Sequence, residues 1–153
     1  MQRLDERTWD LHKNYVLFQE FLPDNPFDLR LVVIGNRAFG FRRFNRPNDF
    51  RASGSGNTDT DPTQVDLEAI RLAFRLAKRL KTQSIGIDCL RRGDEWVVVE
   101  ISFTYPHFTV RECPGHWELV GSPDIGELIW QEGQMWPEEA QIADFLERLN
   151  NSK

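Results

Sequence analysis

The chain has 153 residues, 40% of them hydrophobic, 28% charged and 12% aromatic, which is enough apolar material for one domain with a real core. Its 19 basic and 24 acidic residues leave a net charge of −5, which argues against general nucleic-acid binding. No apolar run approaches the roughly 18–20 residues that span a bilayer. The charged start MQRLDERTWDLHKNY lacks a signal-peptide core, and two cysteines are too few for a disulfide framework, so a reducing cytoplasm is expected.

Residues 4–13 read as a short helix, and the apolar stretch YVLFQEFL (15–22) as a strand broken by Pro23, Asp24, Asn25 and Pro26. LRLVVIG (29–35) and RAFGFRR (37–43) are strands around a Gly35-Asn36 hairpin turn. Residues 44–65 are polar and rich in Gly, Ser, Asp and Pro. A loop of that length points to a functional lid or clamp rather than a passive connector. Six arginines and one acid, Asp49, lie between Leu29 and Arg51, a charge layout suited to an anion such as phosphate.

Helix 66–81 carries an apolar stripe of Leu67, Ile70, Ala73, Phe74, Ala77 and Leu80, with Asp66 as its N-cap. Strands follow at 84–90 and 96–102. The stretch 103–136, which holds Trp117, Trp130 and Trp136, reads as irregular, and a final helix covers 137–150 with Pro137 at its first position. From Glu112 to Glu147 there are nine acids and no Lys or Arg, which reads as a solvated face. No second-domain linker is visible, so residues 1–153 are expected to form a single domain. Its expected class is α+β, an antiparallel sheet with helices packed on one face and an open cleft on the other.

The 84–102 hairpin is the most informative segment. Alternation puts Ile85, Ile87 and Cys89 on one face and Val97, Val99 and Ile101 together, so both sets should face the core. Asp88, Glu100 and Ser102 then point the other way. A three-residue loop at Gly93-Asp94-Glu95 places Asp88 across from Glu100, with Cβ atoms about 5 Å apart. Two carboxylates that close repel unless a proton or cation lies between them, and Mg²⁺ accepts one or two carboxylates completed by waters and phosphates. On this reading either acid could be replaced by alanine at little cost in stability. The spacing His107, Cys113, His116, with Cys89 as a conceivable fourth ligand, matches no common zinc site.

Three stretches together resemble the C-terminal half of the ATP-grasp superfamily, which includes glutathione synthetase, D-alanine–D-alanine ligase and the glutamate-adding peptide ligases. They are YVLFQEFLPDNPFDLRLVVIG, FRRFNRPNDFRASGSGN, and GIDCL followed by VVVEISFTYP, spanning about Tyr15 to Pro106. The resemblance implies ATP and Mg²⁺ as cofactors. It would set Gln19 at the adenine amino edge, the backbone of Glu20, Phe21 and Leu22 along the base, and Asp28 at the ribose hydroxyls. Arg43 and Arg51 would lie near the transferred phosphate, and Asp88, Glu100 and Ser102 would hold metal, with Ser102 standing where the family usually has Asn.

In that family the nucleotide lies between this half and a preceding half that carries an α-phosphate lysine. About 14 residues precede the hinge strand here, and Lys13 lies too close to it for that role, so a partial ATP-grasp is expected. Two readings follow. One is the ATP- and Mg-binding half of a carboxylate–amine ligase working through an acyl-phosphate on small carboxylate and amine substrates, completed by a missing N-terminal half or by self-association as a homo-oligomer. The other is a non-catalytic ATP-grasp-like binding module.

Overall fold

A computed structural model describes residues 18–151. Seven strands form one antiparallel sheet: β1 (Phe27–Ile34), β2 (Arg37–Phe44), β3 (Thr58–Asp59), β4 (Ser84–Arg92), β5 (Glu95–Ser102), β6 (Gly115–Val120) and β7 (Glu127–Glu132). Their order is β5-β4-β1-β2-β6-β7, with β3 added beside β2. The helices are α1 (Leu67–Leu80), α2 (His107–Glu112) and α3 (Pro137–Asn151). The expected α+β class and antiparallel sheet are what the chain forms. The helix expected at 4–13 and residues 15–17 of the first expected strand lie outside the described residues.

Strand alternation divides the core in two. Leu29, Leu31, Val33, Ala38, Ile85, Ile87 and Cys89 face α1, where they meet Ala69, Ile70, Ala73, Phe74 and Ala77. Val32, Ile34, Phe39 and Phe41 face the other side, where Val110 and Cys113 at α2 and Ala140 of α3 cover them. The second face, expected to be open throughout, is therefore closed at its apolar end. Among the described residues, the end bearing Asp28, Arg43 and Asp88 opens onto a cavity.

Several expectations are corrected. Residues 18–22 form no strand. Pro23 and Pro26 cannot donate to a ladder, and Asn25 instead ties the segment to β4, accepting from the Arg91 N–H at 2.8 Å and donating to the Arg91 carbonyl at 3.0 Å. Leu67 and Leu80 are half-exposed rather than packed, because they sit at the two ends of α1 while the buried set lies between them. The stretch 103–136 is not irregular. It holds α2 and the β6–β7 hairpin, in which Trp117 pairs with Trp130 at 4.8 Å between ring centroids. The β4–β5 turn has two residues, Gly93 and Asp94, rather than three.

The apolar residues of β5 also differ from expectation. A bulge between Asp88 and Cys89 pairs Asp88 with Glu100 but Cys89 with Val98. One extra residue on β5 reverses parity beyond it, so Trp96 and Val98 pack on the α1 core, not Val97 and Val99. Ile101 is exposed.

Candidate nucleotide site

At the open end of the sheet, register sets opposite charges side by side. Asp28 pairs with Arg43 across β1 and β2, and Arg30 pairs with Asp88 across β1 and β4. The side chains follow the register. Arg43 donates Nε to Asp28 Oδ1 at 2.7 Å and Nη2 to Asp28 Oδ2 at 2.6 Å. Its Nη2 also reaches Asp88 Oδ2 at 2.6 Å. Arg30 clamps the same aspartate from the other side, Nε to Oδ1 at 2.5 Å and Nη2 to Oδ2 at 2.6 Å. The result is a buried row, Asp28–Arg43–Asp88–Arg30, in which Asp88 is only 3% exposed. Bidentate pairs of this kind are short, strong and rigid.

Burial raises the Asp28 carboxyl above its ordinary value, and the two bonds from Arg43 oppose that rise. Asp28 Oδ1 and Oδ2 each accept one bond from Arg43, so each keeps a lone pair for a ligand hydroxyl. Arg43 Nη1 bonds no described residue, leaving one N–H pair of the fork to offer an anion.

Above this row opens a cavity of about 780 Å³, whose lining includes Gln19, Glu20, Phe21, Leu22, Asp28, Arg43, Arg51, Asp88 and Glu100. Nine of the ten candidate residues thus meet in one space. Ser102 is the exception. It pairs with Gly86, and its hydroxyl donates to the Thr104 carbonyl at 2.7 Å, closing a local turn. Arg51 is on the lining but already bound: its Nε lies 3.0 Å from both Asp49 oxygens and its Nη2 2.7 Å from Oδ2. Those bonds hold the Asp49 carboxyl near 2. Gln19 donates to the Val99 carbonyl at 3.2 Å, and Phe21 meets Phe50 edge to face at 5.5 Å, both lining the cavity.

The sequence counts Arg30 among the six arginines suited to an anion, without giving it a place in the site. Its signal was available, because Asp28 and Arg30 interrupt an apolar strand at spacing two, which puts both on one face.

Five carboxylates line the cavity (Glu20, Asp24, Asp28, Asp88 and Glu100) against two guanidiniums. Asp28 and Asp88 are paired with Arg43 and Arg30, and Arg92 stands 3.6 Å from Glu20, so much of this negative charge is already offset within the protein. Asp88 Oδ1 accepts a single bond and keeps a lone pair, while Glu100, opposite it, is exposed and bonds no described residue. These two are the carboxylates that could hold a Mg²⁺ ion, which takes one or two carboxylates and completes its shell with water and phosphate oxygens. Among the described residues no three His, Cys, Asp or Glu side chains converge as a metal group. Zinc ligation by the cysteines does not fit, since Cys89 belongs to the α1 core and Cys113 to the core on the opposite face.

Residues 2–108 match the RimK-like ATP-grasp domain. That is more than half of the chain, and the protein belongs to this ATP-grasp family. No curated protein and no solved structure matched the chain.

Proposed function

We propose that this chain is the ATP- and Mg-binding half of a carboxylate–amine ligase. The observation that carries the reading is the shared cavity. The Gln19–Leu22 segment, Asp28, Arg43, Asp88 and Glu100 all line it. Family membership supports ATP as the ligand.

In this reading Gln19 and the backbone of residues 20–22 hold the base, and Asp28 accepts from the ribose hydroxyls. Arg43, fixed by two carboxylates, offers Nη1 to the transferred phosphoryl group, and Arg51 exchanges Asp49 for a phosphate or acyl-phosphate oxygen. Asp88 and Glu100 would hold Mg²⁺, which when bound offsets charge on the phosphates, while Ser102, outside the cavity, has no part in this reading. The chemistry is transfer of the γ-phosphoryl group to a substrate carboxylate, followed by attack of an amine on the acyl-phosphate with release of phosphate. A reducing cytoplasm suits the two cysteines, which are both free and buried.

The alternative, a binding module without catalysis, draws on one observation: Arg51 and Arg43 already have carboxylate partners. Calorimetry tests the nucleotide site on which the first reading rests. The chain should bind Mg-ATP weakly, since the described residues wall the nucleotide from one side. Binding should vanish in EDTA and in E100Q, and D28N should weaken it. A sub-micromolar dissociation constant for the monomer, or equal affinity with and without Mg²⁺, overturns the proposal.

A further inference from the structure

Loop 45–57 is folded on itself and carries one large apolar residue, Phe50. Phe44 donates its N–H to the Asn57 carbonyl at 2.9 Å, which closes the foot of the loop, and Arg46 donates its N–H to the Arg51 carbonyl at 3.1 Å, which closes its tip. Between Arg46 and Arg51, Asn48 turns the chain through a left-handed φ of 59°, and Asp49 donates its N–H to the Arg46 carbonyl at 3.1 Å. The Arg46 guanidinium ties the Ser53 carbonyl into the same unit. Phe50 still buries little: it is 68% exposed, while Ala52 beside it is buried. A bulky ring kept exposed by a hydrogen-bonded loop, on the lining of a cavity, is placed for a ligand rather than for the core.

We propose that Phe50 stacks on the base of a bound nucleotide, so that the cavity recognises its ligand by a flat aromatic base as well as by phosphates. Phe50 meets Phe21, itself 63% exposed and on the same lining, at 5.5 Å with the ring planes 84° apart. Two perpendicular rings form a corner. A flat heterocycle stacked on one ring meets the other edge to face, and both are favoured aromatic geometries. The corner does not depend on the ring contact alone. Asn45 donates its N–H to the Pro26 carbonyl at 3.0 Å and its side-chain amide to the Asn25 carbonyl at 2.7 Å, which fixes the foot of the loop to the segment that carries Phe21. The inference rests on the nucleotide reading above, in which the backbone of residues 20–22 holds the base. A base whose edge faces that backbone offers its faces to side chains from elsewhere, and Phe50 is the aromatic side chain that the lining draws from another segment.

The test is calorimetry of the full chain with Mg-ATP and, separately, with Mg-tripolyphosphate, which carries the phosphates without a base. F50A should weaken Mg-ATP about tenfold, the order of one base–aromatic stack, and leave Mg-tripolyphosphate unchanged. F50W keeps a ring face and should bind Mg-ATP at least as tightly as the wild type. Because Phe50 is exposed, both variants should keep the wild-type circular dichroism. Equal Mg-ATP affinity in F50A and wild type, or a parallel loss of both ligands in F50A, overturns the stacking role and leaves the nucleotide reading standing. A wild-type chain that binds no Mg-ATP overturns that reading and the stacking role with it.

Discussion

Asp88 and Glu100 stand directly opposite each other on β4 and β5, yet they belong to different electrostatic worlds. Asp88 is buried and bonded by two guanidiniums, whereas Glu100 is exposed and bonds no described residue. The first is a structural charge as well as a candidate ligand. The second is a candidate ligand only.

This asymmetry predicts unequal costs. D88A removes the common partner of Arg30 and Arg43 and leaves buried positive charge unpaired, which should cost about 3–5 kcal/mol. E100A should stay within about 0.5 kcal/mol of wild type. The expectation that either acid could be removed cheaply is therefore kept for Glu100 and withdrawn for Asp88. Urea denaturation checks it, and equal midpoints for the two variants would refute the role given to Asp88.

His116 should make stability depend on pH. Burial holds its imidazole below the ordinary value, with Arg37 adding to the effect, and its buried Nδ1 bonds no described residue. The unfolded chain therefore takes up a proton near pH 6.5 while the folded chain does not. Stability from this site is present above that value and is lost as pH falls below it. H116F, packed on Phe39, should flatten the slope between about pH 6.5 and 5 in denaturation curves. An unchanged slope would show that other groups set it.

Both thiols should be inert in the folded protein. Burial pushes Cys89 and Cys113 up to about 12, so almost no thiolate exists at pH 8. A chromogenic disulfide reagent should label neither cysteine in the native chain and both after denaturation. Rapid native labelling of either one would contradict its placement in the core.

Glycines at two hairpin turns should respond differently to alanine. Gly35 and Gly93 both have positive φ, at 60° and 62°. At Gly93 an added Cβ meets open space, so G93A carries only the left-handed strain of roughly 1–2 kcal/mol. At Gly35 the Cβ would run into the Asp144 carboxyl, and G35A should cost clearly more and loosen α3. Thermal melts of the two variants, with hydrogen exchange across 137–151, give the comparison.

Much of the fold was legible because it is local. The Gly35-Asn36 turn, the apolar runs of β1, β2 and β4, and the Asp66 cap with the α1 stripe follow from period and turn chemistry over a few residues. The Asp88–Glu100 pairing was expected from a three-residue turn, but it arises from a two-residue turn offset by the bulge, so alternation alone did not encode it. The β6–β7 hairpin was obscured by its surrounding Gly, Pro and Ser, although the alternation of Trp117 and Leu119 was present. Tertiary structure alone decided the rest. A bulge moved the core face of β5 from Val97 and Val99 to Trp96 and Val98, an effect of pairing with β4 rather than of composition. Pairing of β1 with β2 on one side and β4 on the other joined Asp28, Arg43, Asp88 and Arg30 into a single row. Those residues are up to 60 positions apart, and no local pattern encodes which charges meet when three strands align.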